Sequence, residues 1–311
     1  MRYKKTKVLL TVILSISLGS AVFIGNYFID FALRRGNAED AAAPPAACGS
    51  ILDPTVKLQE KPAFASEKWQ LVSAEGLILQ ATCFTADTDS DKWVLIVHGY
   101  GRDQRSVWDI AARYLQAGYN VLTPDLRASG GSEGSYLSMG ARESSDLQLW
   151  LDQIVQRQPQ AQIFMHGVSM GGATVLLTAA RPLPDNVRLV IADCSYTSAY
   201  TMFALQLRQI FDLPSFPIMN IVDLAGKVKT GAFVSDAAPL QAAPKITIPV
   251  LVIHGEADEL APVGMAEELY AAVPGVKALL KIPDAAHADA RKSDPRQYYD
   301  TIFEFIEQNT D

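Results

Sequence analysis

Residues 166–172 read HGVSMGG, and the apolar run AQIFM (161–165) leads into them. Directly afterwards comes the helical run ATVLLTAA (173–180). Gly167-Val168-Ser169-Met170-Gly171 is therefore a G-x-S-x-G pattern between a strand and a helix, the context of a nucleophile elbow. Glycines two before and two after the serine let the chain turn tightly, with no side chain in the way. A helix that begins there aims its free amides and positive dipole end at developing negative charge. An ordinary glycine-rich turn is the competing reading, and the rest of the chain decides between the two.

A serine hydroxyl is a weak nucleophile at neutral pH and needs a base, itself oriented by an acid. Of the four histidines, His98, His166 and His254 each close a strand pattern just before a glycine, where a structural role is plausible. His287 instead lies in the loop PDAAHADA (283–290), after the last strand pattern, and is the base expected here. Asp258, in the loop of LVIHGEADELAP (251–262), is the expected acid. Asp193 at the end of LVIAD is the runner-up, and Asp284 stands too close to His287 in sequence to compete. The order Ser169, Asp258, His287 is a recurrent Ser–acid–His order. Fixed amides must meet the oxyanion of an acyl-transfer intermediate. The backbone N–H of Met170 and that of Tyr100, in HGYG (98–101), are the expected donors, with the Tyr100 ring also facing substrate.

Outward from this centre, strand-like runs (69–73, 77–84, 93–98, 119–123, 161–166, 188–194, 249–254 and 278–283) alternate with helical patterns near 105–117, 140–157, 170–181, 262–273 and 295–309. Nearly continuous apolar runs such as VLIV suit central parallel strands covered on both faces. The expected fold is α/β: a doubly wound, mostly parallel sheet preceded by a hairpin, over residues 65–311. Residues 197–245 break the rhythm with two apolar helical patterns split by Pro214 and Pro217, and read as a cap over the strand ends. Phe203, Leu207 and Phe211 are its expected substrate contacts, with Phe216 and Met219 in the same apolar set.

The N-terminus carries a second signal. Val8–Ile29 holds no charged residue and, as a helix, would be about 33 Å long, enough for a hydrocarbon core of about 30 Å. Its basic flank MRYKKTK outweighs Arg34 and Arg35, which predicts a cytoplasmic N-terminus and an extracytoplasmic remainder. Residues 1–35 then form the basic tip and anchor, and 36–64, with GNAEDAAAPPAACGS (36–50), a tether. A signal peptide cleaved near residue 20, giving a secreted protein, is the alternative. Every expected catalytic group lies at or after Tyr100, so a chain starting near residue 50 should be soluble and fully active.

Across all 311 residues the formal net charge is −7, and beyond residue 35 there are 21 bases against 33 acids. Such an acidic body is a poor partner for nucleic acid. Cys48, Cys83 and Cys194 are too few for a disulfide framework, and no zinc spacing occurs. Dinucleotide, P-loop and metal motifs are also missing, so no cofactor is expected.

HGYG (98–101), DLRASGGSEG (125–134), GVSMGG (167–172), HGEADELAP (254–262) and AAH (285–287) together resemble the α/β-hydrolase superfamily. The nearest likeness is to bacterial membrane-anchored hydrolases of the serine aminopeptidase-like group. Asp125 and Arg127 are expected to shape a loop beside the site, and Tyr100 departs from the lipase-type HGGG. The resemblance implies a Ser–Asp–His hydrolase without specifying its substrate. A membrane-tethered carboxylic ester hydrolase acting on small-molecule esters is the leading expectation. A peptidase or amidase shares the chemistry, and a catalytically silent binding protein shares only the fold.

Overall fold

Eight strands, β1 (Ala65–Val72), β2 (Ile78–Thr85), β3 (Lys92–Val97), β4 (Asn120–Pro124), β5 (Gln162–Val168), β6 (Val187–Asp193), β7 (Val250–Gly255) and β8 (Lys277–Ile282), form one sheet. They lie in the order β1-β2-β4-β3-β5-β6-β7-β8. The computed structural model from which this is read describes residues 2–35 and 59–310, with side chains from Ser15 onward in the first segment. β1 and β2 form an antiparallel hairpin, β2 runs antiparallel to β4, and β3 through β8 are parallel. All eight expected strands are present. β1 begins four residues earlier than its apolar pattern, because this edge strand buries only Trp69 and its other positions are polar or partly exposed.

Alternation along the central strands feeds two cores. Leu95 and Val97 of β3 face one with Ile163 and Met165 of β5, whereas Val94 and Ile96 face the other with Phe164. The helices are α1 (Arg2–Leu33), α2 (Trp108–Gln116), α3 (Glu143–Arg157), α4 (Met170–Ala179), α5 (Ala199–Phe211), α6 (Ile218–Thr230), α7 (Pro239–Ala242), α8 (Gly264–Ala272), α9 (Ala290–Ser293) and α10 (Pro295–Gln308). α2 and α10 cover the second core, while α3 and α4 cover the first. α4 is apolar on every side and entirely buried. α5 and α6, between β6 and β7, are the helices of the cap, and each ends on a residue in left-handed conformation, Asp212 and Gly231.

α1 is long and apolar enough to cross a membrane over Ser15–Leu33. From Ser15, where its side chains are first described, Ile16, Leu18, Val22 and Phe23 are exposed, but Ile29 and Leu33 are buried in the core shared with the cap. Beyond it, Leu137 N–H donates to Leu33 O at 2.9 Å and Arg35 N–H to Ser135 O at 2.8 Å, and Arg34 pairs with Tyr136 as an antiparallel bridge. The Arg35 guanidinium donates to the carbonyls of Ser132 and Gly130 at 2.6 and 2.5 Å. Residue 35 is thus stitched to the DLRASGGSEG loop; of the expected tether, 36–58 lie outside the described residues.

Candidate active site

β5 ends at Val168 and α4 starts at Met170, which leaves Ser169 alone at the corner with φ 57° and ψ −118°. A non-glycine residue there is strained, and such strain persists only where the surroundings enforce it. Ser169 N–H donates to Asp193 O at 2.8 Å, and Ala173 N–H returns to Ser169 O at 3.0 Å, so the corner is held on both sides. Gly171 must be glycine for a different reason: a Cβ there would sit 2.1 Å from the Val97 carbonyl oxygen of β3. The first turn of α4 can only then abut the neighbouring strand.

The loops after β7 and β8 bring the other two groups. Gly255 allows them to interlock, since a Cβ there would lie 2.2 Å from Ala285 O, and Ala257 N–H donates to that carbonyl at 3.0 Å. His287 Nε2 stands 2.8 Å from Ser169 Oγ, and His287 Nδ1 stands 2.7 Å from Asp258 Oδ2. With Nδ1 donating to the carboxylate, Nε2 is left free to accept the serine proton. Asp258 Oδ1 accepts from the amides of Leu260 and Ala261 at 2.9 and 2.8 Å, which fixes the carboxylate plane. Burial pushes that carboxyl up, but hydrogen bonds from His254 and His287 outweigh it and hold it well below the usual carboxylate range.

Asp193 ends β6 but takes no part in this chain of bonds. Its Oδ2 accepts from the Tyr298 hydroxyl at 2.9 Å, its Oδ1 is buried with no hydrogen-bond partner, and burial raises its pKa. Asp284 is exposed in the turn after β8. Behind the serine, His166 contacts the hydroxyls of Tyr114 and Tyr298, each at 3.1 Å, and burial lowers its pKa to about 3.

His98 has a position that spacing did not expose. Leu126 N–H donates to its Nε2 at 3.0 Å, so Nδ1 carries the proton and donates to Gly99 O at 2.8 Å. That carbonyl belongs to the peptide whose nitrogen is Tyr100's. In a trans peptide the N–H points opposite to the C=O, hence away from His98. Gly99 itself packs against Ser169, the position of an added Cβ lying only 3.3 Å from the serine Cβ. His254 is a second such residue: its Nε2 lies 2.6 Å from Ala261 O and 3.3 Å from Asp258 Oδ2. His98 directly follows β3 and His254 lies near the end of β7, each before a glycine, a pattern that marks the loops without saying what the rings bind. Arg127 pairs with Asp146 at 2.7 Å and Glu75 at 3.0 Å, and Asp125 accepts from the amides of Gln104 and Gly131 at 2.9 and 2.8 Å, so both shape their loop.

A cavity of about 380 Å³ opens over Ser169 and His287. Tyr100, Met170, Phe203, Leu207 and Phe211 line it, as does Met219. Phe216 does not: it lies between the cap helices, 76% exposed, because the proline-split turn carries it outward. Three residues outside the expected set, Phe28, Phe31 and Ala32 of α1, also line the cavity, and the Tyr100 hydroxyl donates to Ala32 O. The expectation of full activity without the first fifty residues counted only catalytic groups and left these walls out. The only hint in the sequence was an aromatic cluster at the end of the apolar span. Among the described residues, no group of three or more His, Cys, Asp or Glu side chains is placed to hold a metal ion.

A family profile described as alpha/beta hydrolase fold matches residues 92–221. The chain is 32% identical over 227 residues to the uncharacterized protein YqkD of Bacillus subtilis (strain 168), covering 73% of this chain and 74% of YqkD. It is 25% identical over 254 residues to the uncharacterized protein YfhR of Escherichia coli (strain K12), covering 79% and 82%. Among solved structures it is similar to the Pyrococcus furiosus esterase Pf2001, with a TM-score of 0.65 and 23% identity, over 80% of this chain and 94% of that one. At that identity the likeness concerns the fold.

Proposed function

The chain belongs to the alpha/beta-hydrolase family, and from that premise we propose that it is a serine hydrolase that cleaves carboxylic esters through an acyl-enzyme while held to a membrane by α1. The single observation that carries this reading is the unbroken run Asp258–His287–Ser169, with separations of 2.7 and 2.8 Å, at an apolar cavity. In the first step Ser169 Oγ attacks the ester carbonyl carbon while its proton passes to His287 Nε2, and Asp258 stabilises the imidazolium that forms. The amides of Tyr100 and Met170 receive the oxyanion; His98, by fixing the Gly99 carbonyl, holds the first of them in line. Collapse of the intermediate sends the histidine proton to the departing alcohol. Water, deprotonated by His287, then releases the acid and regenerates the serine.

Ester rather than peptide substrates are favoured by the cavity's charged lining. Apart from His287 its charged groups are Arg102, Arg291, which pairs with Asp109 at 2.8 Å, and Lys292, which pairs with Asp289 at 3.0 Å. An enzyme that grips a peptide's cationic α-amine needs a carboxylate to spare, and the one acid of this lining is already engaged. The basic N-terminal flank supports a cytoplasmic N-terminus with the catalytic domain outside. The test is a panel of p-nitrophenyl esters beside aminoacyl p-nitroanilides, assayed with the full-length protein and its Ser169→Ala variant. Ester turnover that disappears in the variant is expected; anilide turnover exceeding ester turnover would move the assignment to the peptidases.

A further inference from the structure

The helix that anchors the chain also shapes the site. Phe28 and Phe31 meet the cap's Phe211 edge-on, with ring centroids 5.3 and 5.6 Å apart, and all three rings line the cavity over Ser169. The Tyr100 hydroxyl, on the loop that packs against the nucleophile, is bonded to the carbonyl of Ala32. The reacting serine therefore lies close to the end of the apolar span. Asp30, an acid that would oppose insertion if left alone, accepts from the Tyr136 hydroxyl at 2.7 Å and faces Lys229 at 3.6 Å, which marks where the span gives way to polar surroundings.

The cap adds exposed apolar residues beside α1. α6 packs directly on α1, where a Cβ at Gly25 would sit 2.9 Å from Ala225 Cβ. On α6, Leu224 and Val228 are 61% and 78% exposed, and Phe216 at the cap's turn is 76% exposed. Exposed apolar residues on elements packed against a membrane-spanning helix meet the solvent that helix meets, the acyl region of the bilayer.

We propose that α1 is a wall of the acyl-binding cavity as well as the anchor, and that the substrate is a long-chain acyl ester resident in the bilayer, which enters beside α1 with its carbonyl stopping at Ser169. The assignment rests on the serine-hydrolase reading above and adds the substrate's chemical class and its route. An acyl chain that moves from bilayer to cavity along this path exchanges one apolar environment for another and never crosses water. A water-soluble ester gains nothing from the arrangement.

The test uses full-length protein in phosphatidylcholine vesicles and an alkyl fluorophosphonate with a diazirine at the end of a ten-carbon chain. Ser169 Oγ displaces fluoride at phosphorus, its proton passing to His287, and light then joins the chain end to its neighbours. Cross-links in the peptide carrying Phe28–Ala32 are expected. A probe bonded to Ser169 whose cross-links reach only residues 197–245 or solvent overturns the wall. A probe that never bonds to Ser169 removes the hydrolase reading and this assignment with it. In the same vesicles, kcat/KM for the dodecanoyl ester of 4-methylumbelliferone should exceed that for the butyryl ester at least tenfold, and Ala32→Phe, which fills the cavity from α1, should cut that ratio tenfold or more. A preference for the butyryl ester, or an unchanged ratio in a folded Ala32→Phe protein, overturns the substrate class.

Discussion

Two carboxylates lie near Ser169, Asp193 as the last residue of β6 and Asp258 in the loop after β7, and their surroundings differ. Asp258 is held ionised by two histidines and two amides, whereas Asp193 is buried against a tyrosine hydroxyl with its pKa raised. Asp258→Asn should therefore lower kcat by roughly 10³–10⁴-fold, since an amide neither fixes the tautomer of His287 nor stabilises its cation. Asp193→Asn should cost much less; parallel kcat measurements decide, and the reverse ranking would move the acid to β6. His166 offers a test of a different kind. Its pKa lies at about 3 in the folded protein, below the ordinary histidine value of about 6.5, so between those limits the unfolded chain binds the extra proton. Stability must then fall as pH drops through this window, by up to about 1.4 kcal/mol per pH unit from this residue. His166→Gln keeps a donor and an acceptor but cannot titrate, so the stability gap between wild type and variant in urea should narrow by about 2 kcal/mol from pH 6.5 to 5. A constant gap would show that His166 is not buried neutral.

At the scale of elements, legibility tracked how local each signal was. Strand, turn and helix at 161–180 are contiguous in sequence, so the corner carrying Ser169 could be read there, and the loops bearing Asp258 and His287 each follow an apolar strand. What was not legible came from packing between distant segments. Phe28 read as an ordinary residue of the apolar span Val8–Ile29 and Phe31 lay just past its end, and only the folded chain brings them to Phe211. Phe216 read as cap lining because it is apolar and lies between two apolar helices, yet the turn that holds it faces outward. The roles of His98 and His254 depend on which nitrogen meets which carbonyl, and sequence does not carry that information. The elbow itself gives an element-scale prediction. Gly171→Ala forces a Cβ against the Val97 carbonyl, so α4 must shift from β3. A loss of about 1–3 kcal/mol in denaturant stability is expected, together with a fall in ester turnover larger than the change in KM. Unaltered stability and kcat would mean that the close contact between α4 and β3 is not required.

For the whole molecule, one apolar helix, a cap with exposed apolar residues beside it and the corner carrying Ser169 lie together on one side of the first core. Full-length protein should stay with membranes through salt and carbonate washes, because an inserted helix is not held by charge, and protease added outside intact cells should reach the catalytic domain. Release by carbonate would contradict the anchor; protection from protease would reverse the orientation. The central claim, however, is chemical: Ser169 is a nucleophile activated by His287 and Asp258. Its most direct measurement is labelling of the full-length protein with a fluorophosphonate, with the modified residue located by mass spectrometry. One phosphonyl group on Ser169, none on the Ser169→Ala variant and labelling slowed at least a hundredfold by His287→Ala are the predicted results. Folded wild-type protein that remains unlabelled, or that carries the group on another residue, would contradict the account.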